Sequence, residues 1–122
     1  MANPSFWLAP GGDDRGPGDE TQPFATLGRA RDAVRELLRH GRGGEVTVLL
    51  RGGTYRLREP VRFGLEDAAP PGGRIVYTAA PGETPVLSAG VPLGGWQRVA
   101  AADTPAEAPE AARGRLWAAP FP

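Results

Sequence analysis

Four carboxylates fall within eight positions near the start of the chain: Asp13, Asp14, Asp19 and Glu20, in the stretch GGDDRGPGDETQPF. Clustered oxygen ligands suit calcium. A pair of carboxylates held across a bond suits acid/base cleavage of a glycoside. Aspartates among glycines and prolines also bond the backbone amides of turns. The spacing does not follow an EF-hand loop and Arg15 stands inside the cluster, so the turn-shaping reading leads over a metal site or a catalytic carboxylate. His40 is the sole histidine and sits just before Gly41, a position for capping or surface rather than catalysis. With one histidine, no Ser/His/Asp set can be assembled. Gly52-Gly53 after a strand fits neither the Walker nor the dinucleotide-binding pattern. Trp7, Trp96 and Trp117 could stack on sugar rings, as could Tyr55 and Tyr77, but packing in a core or wall is their commoner use. No residue is therefore assigned as catalytic, cofactor-binding or metal-binding, and no cofactor is expected.

The chain has 122 residues, enough for one small domain or part of a larger one. Fourteen basic and fourteen acidic residues give zero formal net charge, which disfavours nucleic-acid binding through a broad basic field. There is no cysteine, so disulfides and thiolate metal sites are out. Lysine is also absent, which reads as a bias toward GC-rich codons. Eighteen glycines and fourteen prolines mark a turn-rich chain, yet 40% hydrophobic residues argue against disorder. MANPSFWLAP is not a signal peptide as it stands. The chain is expected to be cytoplasmic if that N-terminus is native and secreted if a signal was removed. No stretch approaches the ~18 apolar residues of a membrane helix, and no membrane partner is expected.

These side chains must be positioned by a series of short elements. Phe6-Trp7-Leu8 reads as a first strand, ended by Pro10-Gly11-Gly12. Thr26 is a good N-cap for a helix over 26–39, with Leu27, Ala30, Ala33 or Val34, Leu37 and Leu38 at helical spacing and Gly41 as the stop. Strands are then expected at 45–50, 54–57, 61–63, 74–79, 85–90 and 95–99. The Asn-Gly and Asp-Gly turns of tight hairpins are missing. Unevenly spaced short strands of this kind fit successive turns of a parallel solenoid, with a β-sandwich as the alternative. Residues 100–115 read as an Ala/Pro/Glu linker or variable loop, and LWAAPFP as the start of a further strand, cut before its partners arrive.

FWLAPGGDDRGPGDETQPFATLGRARDAV, VTVLLRGGTYRLREPVRF, IVYTAAPGETPVLSAG and GWQRV together resemble the N-terminal region of bacterial right-handed parallel β-helix proteins of the pectate-lyase-like group. That group includes β-helix glycoside hydrolases such as β-xylosidases, polysaccharide lyases and alginate epimerases. The resemblance spans about residues 6–99. It implies a mainly β fold in which the helix caps the first coils over residues 1–99. It further implies a structural capping module of a carbohydrate-active protein, foremost a glycoside hydrolase. The alternatives are the cap of a polysaccharide lyase or epimerase, or of a non-catalytic polysaccharide-binding or adhesion β-helix. The implied partners are the remaining coils and, through the parent protein, a polysaccharide or oligosaccharide. The resembling enzymes carry their catalytic residues on later coils, so the chain alone is expected to be inactive.

Overall fold

The computed structural model describes residues 3–42 and 44–122. Met1 and Ala2 of the expected first coils, and Gly43 before the second strand, lie outside the described residues. The chain divides into two compact units, Met1–Ala89 and Gly90–Pro122.

The first unit runs β1 (Ser5–Leu8), α1 (Leu27–Arg39), β2 (Glu45–Leu50), β3 (Gly53–Arg56), a 3-10 turn (Leu65–Asp67), β4 (Arg74–Ala79) and β5 (Pro85–Ser88). One sheet has the order β1-β2-β4 and the other is the pair β3-β5. Every pairing in this unit is parallel. After α1 the chain visits the two sheets alternately. Glu45 lies opposite Arg74 in the first and Gly53 opposite Pro85 in the second. The expectation of parallel rather than hairpin pairing is met here.

Helix α1 forms where capping and periodicity agree. Thr26 is extended (φ −122°, ψ 145°), and its hydroxyl accepts the Arg29 amide at 3.2 Å. At the other end Gly41 takes φ +68°, where its Cβ-free backbone is unstrained. The Gly41 and Arg42 amides donate to the carbonyls of Leu38 (3.1 Å) and Leu37 (2.9 Å). Ala30, Ala33 and Val34 are buried, while Leu27, Leu37 and Leu38 are half-buried at the margins of the same face. Small alanines let the helix approach closely. They share one core cluster with Val46, Val48 and Leu50, the alternate residues that β2 buries. Leu8, Phe24 and Tyr55 complete the core.

Tyr55 ties the two sheets. Its hydroxyl is shared between the carbonyls of Arg51 (2.7 Å) and Leu8 (3.1 Å). Removal from water raises its pKa, with the nearby Glu83 adding to the effect.

The second unit carries β6 (Gln97–Arg98) and β7 (Trp117–Ala118), an antiparallel pair. The Val99 amide donates to Leu116 O at 2.9 Å, and Arg98 Nε to Gly114 O at 2.9 Å. Two 3-10 turns, Ala101–Asp103 and Glu110–Ala112, occupy the stretch read as linker.

One helix and short strands in small parallel sheets make the architecture mixed α/β, where the sequence pointed to mainly β. The expected strand at 61–63 does not form. Its backbone is engaged elsewhere: Arg31 Nη1 donates to the Arg62 carbonyl at 2.9 Å, and Phe63 rests edge-on against Tyr77 with ring centroids 5.4 Å apart. The strand expected at 85–90 stops at Ser88, and that at 95–99 shrinks to Gln97–Arg98.

Val34→Asp tests the helix seam. The side chain is 1% exposed, so a carboxylate there would be buried among apolar groups. The expected loss is about 3 kcal/mol or more in urea unfolding. An unchanged midpoint would mean that α1 does not close this core.

Candidate functional site

The acidic loop between β1 and α1 is a network of carboxylates bound to its own backbone. Asp14 is its hub. One carboxylate oxygen accepts the amides of Ala25 (2.8 Å) and Thr26 (3.0 Å), and the other accepts the Thr26 hydroxyl at 2.6 Å. The Asp14 carbonyl takes Arg29 Nε at 3.1 Å. The residue thus fixes the helix cap twice, through Thr26 and through Arg29.

Asp13 accepts the Arg15 amide at 2.9 Å and pairs with its guanidinium at 3.2 Å. That backbone bond first, then the guanidinium, holds its pKa below the ordinary value. Asp19 accepts the amides of Gln22 (2.8 Å) and Thr21 (3.0 Å) and the Thr21 hydroxyl (2.8 Å). The Gln22 amide is the main cause of its lowered pKa. Glu20 contributes its carbonyl, which accepts Arg51 Nη2 at 2.6 Å. Among the described residues no group of three His, Asp or Glu side chains could hold a metal ion. The carboxylates that the sequence clusters form no metal-ligating group among the described residues; those of Asp13, Asp14 and Asp19 each serve a separate set of backbone amides, and Glu20 takes part through its carbonyl.

These turns hold the loop against the outer edge of β1. Trp7 N–H donates to Gly18 O (2.8 Å), Ala9 N–H to Phe24 O (2.9 Å), and Phe24 N–H back to Trp7 O (2.8 Å). Leu8 and Phe24 form a parallel bridge. Phe24 then sinks into the core at 1% exposure, with Arg29 stacked 4.6 Å from its ring centroid. Gly18 crosses directly over the Phe24 ring at φ +74°, and a Cβ there would collide with it.

The other candidates separate. His40 is the exposed C-cap of α1, its amide donating to Glu36 O at 3.2 Å. Trp7 is half-buried with Arg51 5.3 Å from its ring centroid. Trp96 and Trp117, expected to pack, are 54% and 61% exposed. Tyr77 is half-buried, and desolvation pushes its pKa up to about 12.

A feature not anticipated from the sequence is the half-buried ion pair Arg35–Asp67. It is bidentate, at 2.7 and 2.8 Å, with the Asp67 side chain 7% exposed. Its signal was weak: arginines at 31 and 35 on one helix face and an acid pair in Leu65-Glu66-Asp67. Beside it Leu27, Leu50, Phe63, Tyr77, Ala79 and Leu87 line an apolar groove of about 510 Å³. The second edges of β4 and β5, which contribute to this groove, pair with no strand among the described residues. No described helix is long and apolar enough to cross a membrane.

No protein-family model matches the chain, and no curated protein sequence matches it. Solved structures do. A "Glycoside hydrolase" is 34% identical over 80% of this chain and 17% of its own, with a TM-score of 0.75. A "Rhamnogalacturonan lyase" is 23% identical over 70% of this chain and 22% of its own, with a TM-score of 0.53, a likeness of fold alone. "The complex structure of XylC with xylose" aligns at 24% identity over 78% of this chain and 12% of its own, with a TM-score of 0.47. The chain spans less than a quarter of the length of each.

Three measurements check the loop. Asp14→Ala removes three hydrogen bonds at the helix start and should cost about 1–2 kcal/mol in urea unfolding; no change would deny it the hub role. Calorimetric titration with calcium should give no saturable isotherm at micromolar concentration, since the oxygens face separate turns; a one-site isotherm lost in Asp13→Asn/Asp14→Asn would reverse that reading. Because the Asp13 and Asp19 values are depressed on folding, their stabilisation is present above the ordinary 3.8 and drains away as pH falls through the lower folded values. Asp19→Asn should therefore flatten the acid limb of a stability–pH profile, and an unaltered limb would contradict it.

Proposed function

We propose that this chain is the N-terminal capping module of a carbohydrate-active parallel β-helix protein, a glycoside hydrolase before a polysaccharide lyase. The observation that carries this reading is the 34% identity and TM-score of 0.75 with a structure named "Glycoside hydrolase", of which the chain spans 17%. Two features of the fold support it. Chain entry alternates between two parallel sheets, as successive coils of a solenoid would. The two flanks also differ: the β1 edge is covered by the acidic loop, whereas β4 and β5 keep an open edge beside an apolar groove.

In this reading the module seals the first coil and offers β4 and β5 to the next one. Polysaccharide is met by the parent protein, and the bond-breaking groups lie on coils outside these residues. The carboxylates of Asp13, Asp14 and Asp19 are committed to backbone amides, and that of Asp13 also to Arg15, a use in shaping the loop rather than in cleaving a glycosidic bond.

The test is made on the 122-residue chain. Aryl-glycosides, xylan, pectin and alginate should show no turnover, and light scattering on the same samples should show association through the open edges and apolar surface. Turnover by a monodisperse monomer, abolished by substituting one of its own carboxylates, would make the chain an enzyme in itself and end the capping reading.

A further inference from the structure

The segment from Val61 to Asp67 leaves the body of the first unit and returns to it, and its contacts are unlike those of an ordinary surface loop. Its far end is fixed by charge: Asp67 grips Arg35 through two hydrogen bonds, and the Gly64 amide donates to the same carboxylate at 2.7 Å. Its near end is fixed by Arg31, which donates to the Arg62 carbonyl at 2.9 Å, with Arg35 Nη2 at 3.4 Å from the same oxygen. Between these ties Phe63 leans edge-on against Tyr77, at an interplanar angle of 81°, and forms one wall of the apolar groove. Phe63 is 51% exposed and Leu65 95% exposed, so apolar burial contributes little to holding the segment down. The polar ties must do it.

We propose that residues 61–67 are a charge-clasped strap: the Arg35–Asp67 pair, helped by Arg31, holds Phe63 on Tyr77 and thereby sets the width of the apolar groove. Releasing the clasp swings Phe63 away and opens the groove, while the sheets beneath stay paired. This goes beyond the capping reading and holds whether or not that reading is right, since it concerns only contacts within the first unit.

The charges around Asp67 fix the sign of its acid response. From α1 it faces Arg35 and Arg31, both of which also pair with Asp32; from β4 it faces Tyr77; within its own turn it neighbours Glu66, which also pairs with Arg35. The Arg35 hydrogen bonds dominate and keep its pKa below the ordinary carboxylate value. The clasp is closed above that range and opens as pH falls through the lowered value.

Hydrogen exchange and ring-to-ring nuclear Overhauser effects on the 122-residue chain test this. In Asp67→Asn, Gly64 amide exchange should accelerate about tenfold or more and the Phe63–Tyr77 cross-peak should fade, with amides of β2 and β4 still protected. Phe63→Ala should keep Gly64 protected, because it removes the wall and leaves the clasp. Unchanged Gly64 exchange and an intact cross-peak in Asp67→Asn would overturn the proposal. Should Asp67→Asn fail to fold, the wild-type chain is titrated with acid while the Asp67 carboxyl carbon reports its protonation. Loss of the cross-peak in step with protonation supports the strap, and its persistence with Asp67 protonated refutes it.

Discussion

A parallel strand at the end of a sheet has backbone donors and acceptors on a side where no strand follows. For β1 that requirement organises the whole front of the chain. Its Trp7 and Ala9 amides and its Trp7 carbonyl point away from β2 and are met by Gly18 and Phe24 of the loop. The loop can reach them only if residues 11–25 fold back on themselves without a regular element, and that is what the aspartates enforce. Asp13, Asp14 and Asp19 each accept the local amides that such a compact loop would otherwise leave unpaired. Asp14 goes further, because the amides it holds belong to the helix start. One carboxylate therefore couples closure of the sheet edge to the origin of α1, and α1 in turn supplies Ala30, Ala33 and Val34 to the core beneath.

The consequence is a unit with unlike flanks. On the β1 side, the outward Trp7 groups and the Ala9 amide are paired with the loop, and Phe24 plugs the core. On the β4 and β5 side, no further strand pairs among the described residues, and apolar groups line the groove there. Edges of that kind are usually blunted by charge, proline or a covering segment. Here residues 61–67 place Phe63 against the Tyr77 ring and are tied to α1 through Arg31 and Arg35, so they wall part of the apolar groove without pairing with either edge. A fold that seals one flank through three loop aspartates and leaves the other accessible is directional, and that is the asymmetry the proposed capping role requires.

How much of this the sequence displayed depends on the range of the interaction. Thr26, Gly41 and the apolar stripe of α1 act within one or two turns, and the helix appears where they place it. The Val-Thr-Val-Leu run of β2 likewise reads directly as alternating burial. The missing strand at 61–63 is the opposite case. Val-Arg-Phe has strand-like alternation, but its backbone is drawn toward Arg31 and Arg35, some thirty positions earlier, and local pattern carries no trace of that. The Arg35–Asp67 pair was hidden for the same reason. Trp96 and Trp117 show a different limit. Type preference favours packing for tryptophan, yet Trp117 lies in, and Trp96 just before, a small antiparallel ribbon whose own unit is too slight to bury them. The separation of roles among Asp13, Asp14 and Asp19 was half legible: the residue types announced turns, but only the structure assigns each carboxylate to its amides.

The all-arginine cation set acquires a physical role once these bonds are in view. Arg29, Arg31, Arg51 and Arg98 each donate to a backbone carbonyl in an irregular segment, at Asp14, Arg62, Glu20 and Gly114 respectively. Irregular backbone is where carbonyls lack ladder partners, and this chain, rich in glycine and proline, has many such places. A guanidinium suits the task better than an ammonium. Its planar fork can hold a carbonyl with one nitrogen and a carboxylate or ring with the rest, as Arg31 does with Arg62 and Asp32, and as Arg29 does with Asp14 and Phe24. The geometry accounts for why lysine would not substitute without loss: its single charged nitrogen could satisfy the carbonyl or the second partner, but it lacks the flat face that lies over Phe24 and the paired donors that close on Asp67.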